Sequence, residues 1–297
     1  MDLTDKMVIV GLGEVLWDML PSGKMLGGAP ANFAYHVSQC GFPAVLVSAV
    51  GNDALGEEIR ETLKEKGVES YLPTVDYPTG TVEVMLDDKG VPQYEIKEGV
   101  AWDNIPFDEE MENIAKHTAT VCFGTLAQRG EQSRKTIEAF IAATPEESVK
   151  VCDLNLRGNY YSKEVIDSSM RLSDVVKVNQ EELIEVCRVL EMEYDDQHLV
   201  AQRMLDEYRL EMLIVTCGTE GSFIYCYDEN ASCVPTPQVE VVDTVGAGDA
   251  FTAVFVSGML GGLEMRWAHM LAVEAAAYVC TQAGAMPILP EDIKERV

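Results

Sequence analysis

Val239-Glu240-Val241-Val242-Asp243-Thr244-Val245-Gly246-Ala247-Gly248-Asp249-Ala250-Phe251 decides how the rest of the chain is read. The β-branched run is expected to be a strand ending in an acid. It crosses a turn of small residues into the apolar stretch Ala250 to Leu260, expected to be a helix. Gly246, Ala247 and Gly248 have almost no side chain, so their N–H groups can approach a ligand closely. A helix that starts there points its unbonded N–H groups and positive dipole end at that ligand, which favours an anion. Asp249 falls in the first helical turn, where the dipole favours its ionised form. An anion-binding turn with a carboxylate inside it suits phosphoryl transfer, in which the turn stabilises charge and the acid accepts a hydroxyl proton. The same letters also fit an ordinary glycine turn with a helix-start acid, and a second cluster decides between the two.

That cluster is Gly27-Gly28-Ala29-Pro30-Ala31-Asn32-Phe33-Ala34, followed by Gly41 and Gly51. Together the two stretches resemble the paired motifs of the ribokinase-like (PfkB) family of carbohydrate kinases. The upstream motif matches in glycine spacing through Gly51. The downstream one matches as D-T-V-G-A-G-D-A-F and departs at Val254, where a tiny residue is usual. The resemblance implies an α/β fold, a central mostly parallel sheet flanked by helices with a small β-sheet lid. It implies transfer of the γ-phosphate of ATP to a primary hydroxyl of a free sugar, with Asp249 as proton acceptor. Gly246, Ala247 and Gly248 would stabilise the transferred group, and Mg²⁺ would bridge the phosphates.

Composition agrees with a globular enzyme. The chain has 297 residues and 47% hydrophobic content, enough for a sizeable core. Its 22 basic and 50 acidic residues give a formal charge of −28, which argues against nucleic acid or an anionic membrane as partner. ATP must then be held locally, by helix termini, Mg²⁺ and a few cations. The eight cysteines show no C-x-x-C or Cys/His pairing, so Cys122, Cys152, Cys217 and Cys280 in their apolar runs read as reduced core thiols. With neither a leader-like start nor a membrane-length apolar run, the expected compartment is the cytoplasm.

Strands are expected at Met7–Gly11, Ala44–Val50, Thr120–Phe123, Val149–Asp153, Val175–Val178, Met212–Thr216 and Ser222–Tyr227. Helical spacing marks 32–39, 56–66, 133–143, 180–190 and 198–208, then 248–260 and 266–283. Near-continuous apolar strands between helices imply a parallel sheet covered on both faces. The stretch 68–104 breaks this rhythm. Thr81–Leu86 and Gln93–Lys97 alternate apolar and polar residues around Asp87-Asp88-Lys89-Gly90, the pattern of a hairpin with one face to bury. Residues 1–67 and 105–297 are therefore assigned to the kinase domain and 68–104 to the lid, with a further lid strand near 14–26. The resemblance implies that the lid closes over the sugar and joins two copies as a homodimer.

Gly11-Leu12-Gly13 opens like a dinucleotide fingerprint, but Leu16 occupies the place of the third glycine and no helical stretch follows before Pro21. Instead, Gly13-Glu14-Val15-Leu16-Trp17-Asp18 resembles the family's first sugar-contacting segment. Asp18 is the candidate for binding sugar hydroxyls, since a carboxylate accepts two hydrogen bonds; Glu14 joins it or supports the loop. Gly27, Gly28 and Asn32 combine close-approach backbone with an amide that donates and accepts, which suits a neutral polyol. Asn32 could instead open a helix as its cap, but with the motif intact sugar binding is the favoured reading. Asp53 reads as a helix cap.

Asp153-Leu154-Asn155-Leu156-Arg157 resembles the family's D-x-N-x-R stretch at a strand's C-terminal end, where α/β folds bind ligands. Arg157 could clamp a phosphate or a substrate carboxylate. Asn179-Gln180-Glu181-Glu182 matches the family's N-x-x-E element. By that resemblance Asn179 lies at ATP and Glu182 near Mg²⁺, acting through metal-bound water. Thr216, Gly218 and Gly221 belong to a turn that resembles the nucleotide-contacting one. The Gly284-Ala285 turn and the loop beginning at Asp243 are implied around the adenine edge and a K⁺-type monovalent-cation site.

The expected activity is that of a sugar kinase acting on fructose. G-E-x-L-x-D followed by G-G-A-P-A-N-F-A looks like fructokinases more than ribokinases, whose glycine stretch usually carries a lysine. Alternatives within the family are 2-keto-3-deoxygluconate, whose kinases share D-x-N-x-R, and ribose. Outside the class stand a non-catalytic sugar- or nucleotide-binding protein and an oxidoreductase. Retention of Asp249, the small-residue turn and N-x-x-E weighs against a pure binder.

Overall fold

The computed structural model describes residues 7–21, 23–86, 92–227 and 231–297. In chain order the strands are β1 (Val8–Leu12), β2 (Leu16–Leu20), β3 (Gly23–Gly27), β4 (Ala44–Val47), β5 (Val50–Gly51), β6 (Glu69–Tyr71), β7 (Thr74–Val75), β8 (Thr81–Leu86), β9 (Pro92–Ile96), β10 (Thr118–Phe123), β11 (Val149–Asp153), β12 (Val175–Asn179), β13 (Met212–Thr216), β14 (Ser222–Cys226) and β15 (Ser232–Val234). The helices are α1 (Ala29–Gln39), α2 (Ala54–Glu65), α3 (Glu109–Lys116), α4 (Glu131–Ala143), α5 (Lys163–Arg171), α6 (Gln180–Leu190), α7 (Gln197–Tyr208), α8 (Ala247–Leu260), α9 (Met265–Cys280) and α10 (Glu291–Lys294).

The main sheet has nine strands in the order β15-β14-β13-β12-β11-β10-β1-β4-β6. From β13 to β6 every pairing is parallel, and only β14 and β15 run antiparallel at one edge. Alternation along each strand feeds two separate cores. On β1, Val8, Val10 and Leu12 face one of them, with Met111, Ile137, Ile166, Leu183 and Val200 from α3 to α7. Ile9 faces the other, with Phe33, Ile59, Phe251 and Ala268 from α1, α2, α8 and α9. A strand buried on both sides must be apolar at nearly every position, and this is why β1 and β13 read as near-continuous apolar runs. The chain is an α/β fold with a mostly parallel central sheet flanked by helices, as the resemblance implies. No described helix is long and apolar enough to cross a membrane.

A second sheet, β3-β2-β8-β9, is built from two distant stretches. Strand β2 pairs with β3 antiparallel and with β8 in parallel, while β8 and β9 pair antiparallel from Val82↔Ile96 to Leu86↔Pro92. The excursion through β2 and β3 leaves the main sheet at Gly13 and returns at Gly28, where the backbones nearly touch. A Cβ added to Gly28 would lie 2.4 Å from the Glu14 carbonyl oxygen, and Gly28 has a φ of 111° that favours glycine. The sheet is anchored to the core: Trp17 Nε1 donates to the Leu55 carbonyl at 3.0 Å, and Gly80 at the head of β8 lies against the fully buried Trp102.

Several expectations need correction. Val239–Val242 is no strand. Its valines are 37–63% exposed, it pairs with no strand, and Val242 and Asp243 donate backbone N–H groups to the Cys280 carbonyl instead. The stretch 68–104 is not all lid, since Glu69–Tyr71 extends the main sheet beside β4. The run Ala44–Val50 divides into β4 and β5, which join different sheets. Asp53 caps α2 as expected, accepting from Gly56 N at 2.8 Å and from the Thr79 hydroxyl at 2.6 Å. The expected hairpin turn at Asp87 to Gly90 lies outside the described residues.

Candidate active site

The turn that opens α8 is shaped by two glycine requirements. Gly246 has a φ of 79°, and a Cβ on it would lie 2.6 Å from Ala285 Cα. It precedes the helix without any capping side chain; Ala247 N donates to the Thr244 carbonyl at 3.4 Å, and no side chain covers the N–H groups of Gly248 and Asp249 that follow. Asp249 sits in this first turn, half-buried, and its Oδ2 accepts a hydrogen bond of 2.7 Å from Asn32 Nδ2. Burial raises the Asp249 pKa to about 6, and the Asp153 carboxylate adds to the rise; the Asn32 bond, Lys177 and Arg157 oppose it. Asn32 therefore lies inside α1 rather than at its cap, which falls on Gly28. Its Oδ1 is buried and accepts no hydrogen bond from the protein.

The excursion brings two acids to the same place. Glu14 is 4% exposed, and its Oε1 accepts from Ala29 N at 3.3 Å while Oε2 has no protein partner. Burial raises its pKa to about 7, with backbone hydrogen bonds opposing and the Asp249 charge adding a smaller push. Asp18 on β2 stands across the strand pair from β3, and a Cβ on Gly27 would lie 2.5 Å from its Oδ2. Gly27 thus makes room for that carboxylate. Burial raises the Asp18 pKa to about 6, Arg157 lowers it, and Asp243 raises it.

Arg157 is exposed, and among the described residues no hydrogen-bonding partner engages its guanidinium. It is nonetheless close enough to Glu14, Asp18 and Asp249 to act on the pKa of all three. The turn before it holds Asn155 at a φ of 43°, a conformation that asparagine tolerates better than most residues. Beneath the turn of α8 lies a buried network. Lys177 Nζ pairs with Asp153 Oδ2 at 2.6 Å, and Thr252 Oγ1 lies 3.2 Å from the same oxygen and 3.0 Å from the Gly248 carbonyl. Lys177 and Thr252 went unnoticed in the sequence, where one reads as a strand lysine and the other as a helix-face threonine.

The N-x-x-E element forms a capping box on α6: Asn179 Oδ1 accepts from Glu182 N, and Glu182 Oε2 accepts from Asn179 N, both at 2.8 Å. Glu182 Oε1 also accepts from Leu156 N at 2.8 Å, joining N-x-x-E to D-x-N-x-R. Each oxygen keeps a free lone pair, which suits a water-mediated approach to Mg²⁺. Among the described residues no cluster of three or more His, Cys, Asp or Glu side chains could cage a metal. An Mg²⁺ ion held mainly by substrate phosphates and water would fit beside Glu182. Thr216 ends β13, and Gly218 and Gly221 frame the tight turn that follows, Cys217 N bonding to the Gly221 carbonyl at 2.8 Å. No described hydrogen bond links this turn to Asp249. Asp243 braces its own loop instead, accepting from Val245 N and Gly284 N at 3.1 Å each.

A family model described as "pfkB family carbohydrate kinase" matches residues 22–292. The chain is 30% identical to a fructokinase of Escherichia coli, over 94% of this chain and 95% of that one. It is 28% identical to an ATP-dependent 6-phosphofructokinase of Thermoanaerobacterium thermosaccharolyticum, over 95% and 91%. Among solved structures, an ATP-bound fructokinase of Xylella fastidiosa superposes with a TM-score of 0.83 at 22% identity, over 97% of each chain.

Proposed function

The chain belongs to the pfkB family of carbohydrate kinases and is an ATP-dependent sugar kinase, and we propose that its acceptor is a primary hydroxyl of fructose. The observation that carries this reading is the Asn32–Asp249 hydrogen bond, which joins the sugar-side glycine motif to the anion-binding turn. A sugar hydroxyl beside Asp249 gives its proton to the carboxylate as its oxygen bonds to the γ-phosphorus, and the bond to the leaving ADP oxygen breaks. The N–H groups of Gly246, Ala247 and Gly248 stabilise the charge on the transferred group. When bound, Mg²⁺ would neutralise phosphate charge, with Glu182 reaching it through water. Glu14 Oε2 and Asn32 Oδ1, both without protein partners, and Asp18 supply polar contacts for the sugar hydroxyls.

Asn179, Thr216, Gly218 and Gly221 are assigned to ATP, and the Asp243 loop to a monovalent cation such as K⁺. The small sheet, with strands from 16–27 and 81–96, is assigned as the lid and as the contact of a homodimer. Fructose is favoured over an acidic sugar because the Asp18 and Asp249 carboxylates, both near enough to feel Arg157, would repel a substrate carboxylate. One observation supports a second reading: among the described residues Arg157 has no hydrogen-bonding partner, and it could receive the carboxylate of 2-keto-3-deoxygluconate.

ATP consumption over fructose, ribose, 2-keto-3-deoxygluconate and fructose 6-phosphate, with the parent and with Arg157→Ala, tests the choice. The highest kcat/KM is expected on fructose. A higher value on ketodeoxygluconate that vanishes in Arg157→Ala would install the second reading. Absence of sugar-dependent ATP consumption would overturn both.

A further inference from the structure

Strand β12 reads Val175-Val176-Lys177-Val178-Asn179, and four of its five residues are buried. Val176 and Val178 enter one core, so Lys177 points to the opposite face, where Val175 and the neighbouring Ile214 lie among apolar residues of α8 and α9. A lysine in that place is 5% exposed. It is directly registered with Asp153 on β11, and the two side chains meet at 2.6 Å. Burying such a pair costs desolvation of both ions, and apolar residues of similar volume would usually serve stability as well or better. Its position therefore calls for another account.

That position is directly beneath the turn. A Cβ added to Gly248 would stand 3.2 Å from Lys177 Nζ, so the ammonium underlies the third residue of the Gly246-Ala247-Gly248 run. Asp153, Thr252 and Asp249 also share the lining of one small cavity. In a site shielded from water, a fixed charge at this range acts far more strongly than it would in solvent.

We propose that Lys177 is a positioning residue for phosphoryl transfer: held by Asp153 under Gly248, its ammonium supplies buried positive charge to the anion-binding turn and keeps Asp249 available as the proton acceptor. The inference rests on the kinase reading above, with Asp249 as base. Asp249 is faced by Asn32 from α1, Glu14 from the segment after β1, the buried Cys122 thiol from β10, Asp153 at the end of β11, Arg157 four residues beyond it, and Lys177 from β12. Lys177 lowers the Asp249 pKa and Asp153 raises it, so the members of the pair pull in opposite directions.

The test is Lys177→Met, Asp153→Asn and the double variant, assayed as kcat/KM for ATP against pH at saturating sugar. Lys177→Met is expected to lower kcat by on the order of 10²-fold, with KM values within threefold, and to move the acid midpoint up. Asp153→Asn is expected to move that midpoint down. The double variant, which leaves no unpaired buried charge, is expected to fold, to return the midpoint toward the parent and to keep the loss in kcat. A merely structural pair would lower thermal stability and move neither midpoint. Unmoved midpoints with parental kcat in the folded double variant would overturn the proposal. Asp249→Asn run alongside separates the two failures: if it is inactive while Lys177→Met is not, only this inference falls.

Discussion

Asn32 Nδ2 and Asp249 Oδ2 lie 2.7 Å apart although 217 positions separate them in the chain. One belongs to the helix that follows the first glycine motif, the other to the helix that follows the second. Each motif alone is a glycine turn with a polar residue beside it; joined, they make a carboxylate held in one orientation beside open N–H groups.

Asp249→Asn is expected to lower kcat by about 10²–10⁴-fold while ATP and sugar still bind, because the amide keeps the shape but cannot accept the proton. Single-turnover transfer together with equilibrium binding checks this. A near-parental rate would remove Asp249 from its role.

With Asp249 raised to about 6, its active form is the carboxylate, so activity is present above that value and lost as pH falls through it. A plot of kcat/KM for ATP is expected to drop about tenfold per pH unit below the midpoint. A flat profile from pH 8 to pH 5 would contradict the assignment.

Glu14 gives a stability prediction of definite sign. Its carboxyl rises from 4.5 to about 7 in the fold, so its contribution is fully present below pH 4.5 and is lost as pH rises through 7. Glu14→Gln is expected to stabilise the sugar-free protein at pH 8 by at most on the order of 3 kcal/mol and to change little at pH 5. The same variant should raise the sugar KM. Urea midpoints at the two pH values decide the first point.

The space left by Gly27 is testable. Gly27→Ala would crowd Asp18 Oδ2, and the acid can yield by rotating away from the cleft. The expected result is a sugar KM raised about tenfold or more with ATP affinity kept, an effect similar to that of Asp18→Ala. An unchanged sugar KM in both variants would take Asp18 out of the sugar site.

At Gly80 the crowding has no such escape, because a Cβ would stand 2.2 Å from Nε1 of the fully buried Trp102. Gly80→Ala is expected to cost about 1–3 kcal/mol through overpacking and to lower Tm accordingly.

The parts of this molecule legible in the sequence are those whose pattern is local. Strands β1 and β13 stand out as apolar runs, and the glycine motifs mark Asp249 and Asn32 as candidates. Val239–Val242 misled because β-branched residues suggest a strand even where no partner strand is in reach. Strand β3 pairs only with β2, and the pairing of β2 with β8 joins stretches some 60 residues apart in sequence, so only a lid strand near 14–26 is expected from local pattern. Lys177 was invisible for the same reason: what makes it unusual is burial against Asp153, which no spacing rule announces.

The neck at Glu14 and Gly28 sets Asp18 apart from the other residues proposed for the site. Asp18 and the glycine that accommodates it lie within the excursion, while Asn32, Asp249 and the turn of α8 lie outside it. Because the two ends of the excursion already meet, β2 and β3 can vary without changing the path of the main sheet, provided that Leu16, Trp17 and Leu26 keep their places in the two cores. On the proposed roles, a change confined to Asp18 and Gly27 alters sugar binding and leaves the Asn32–Asp249 contact in place.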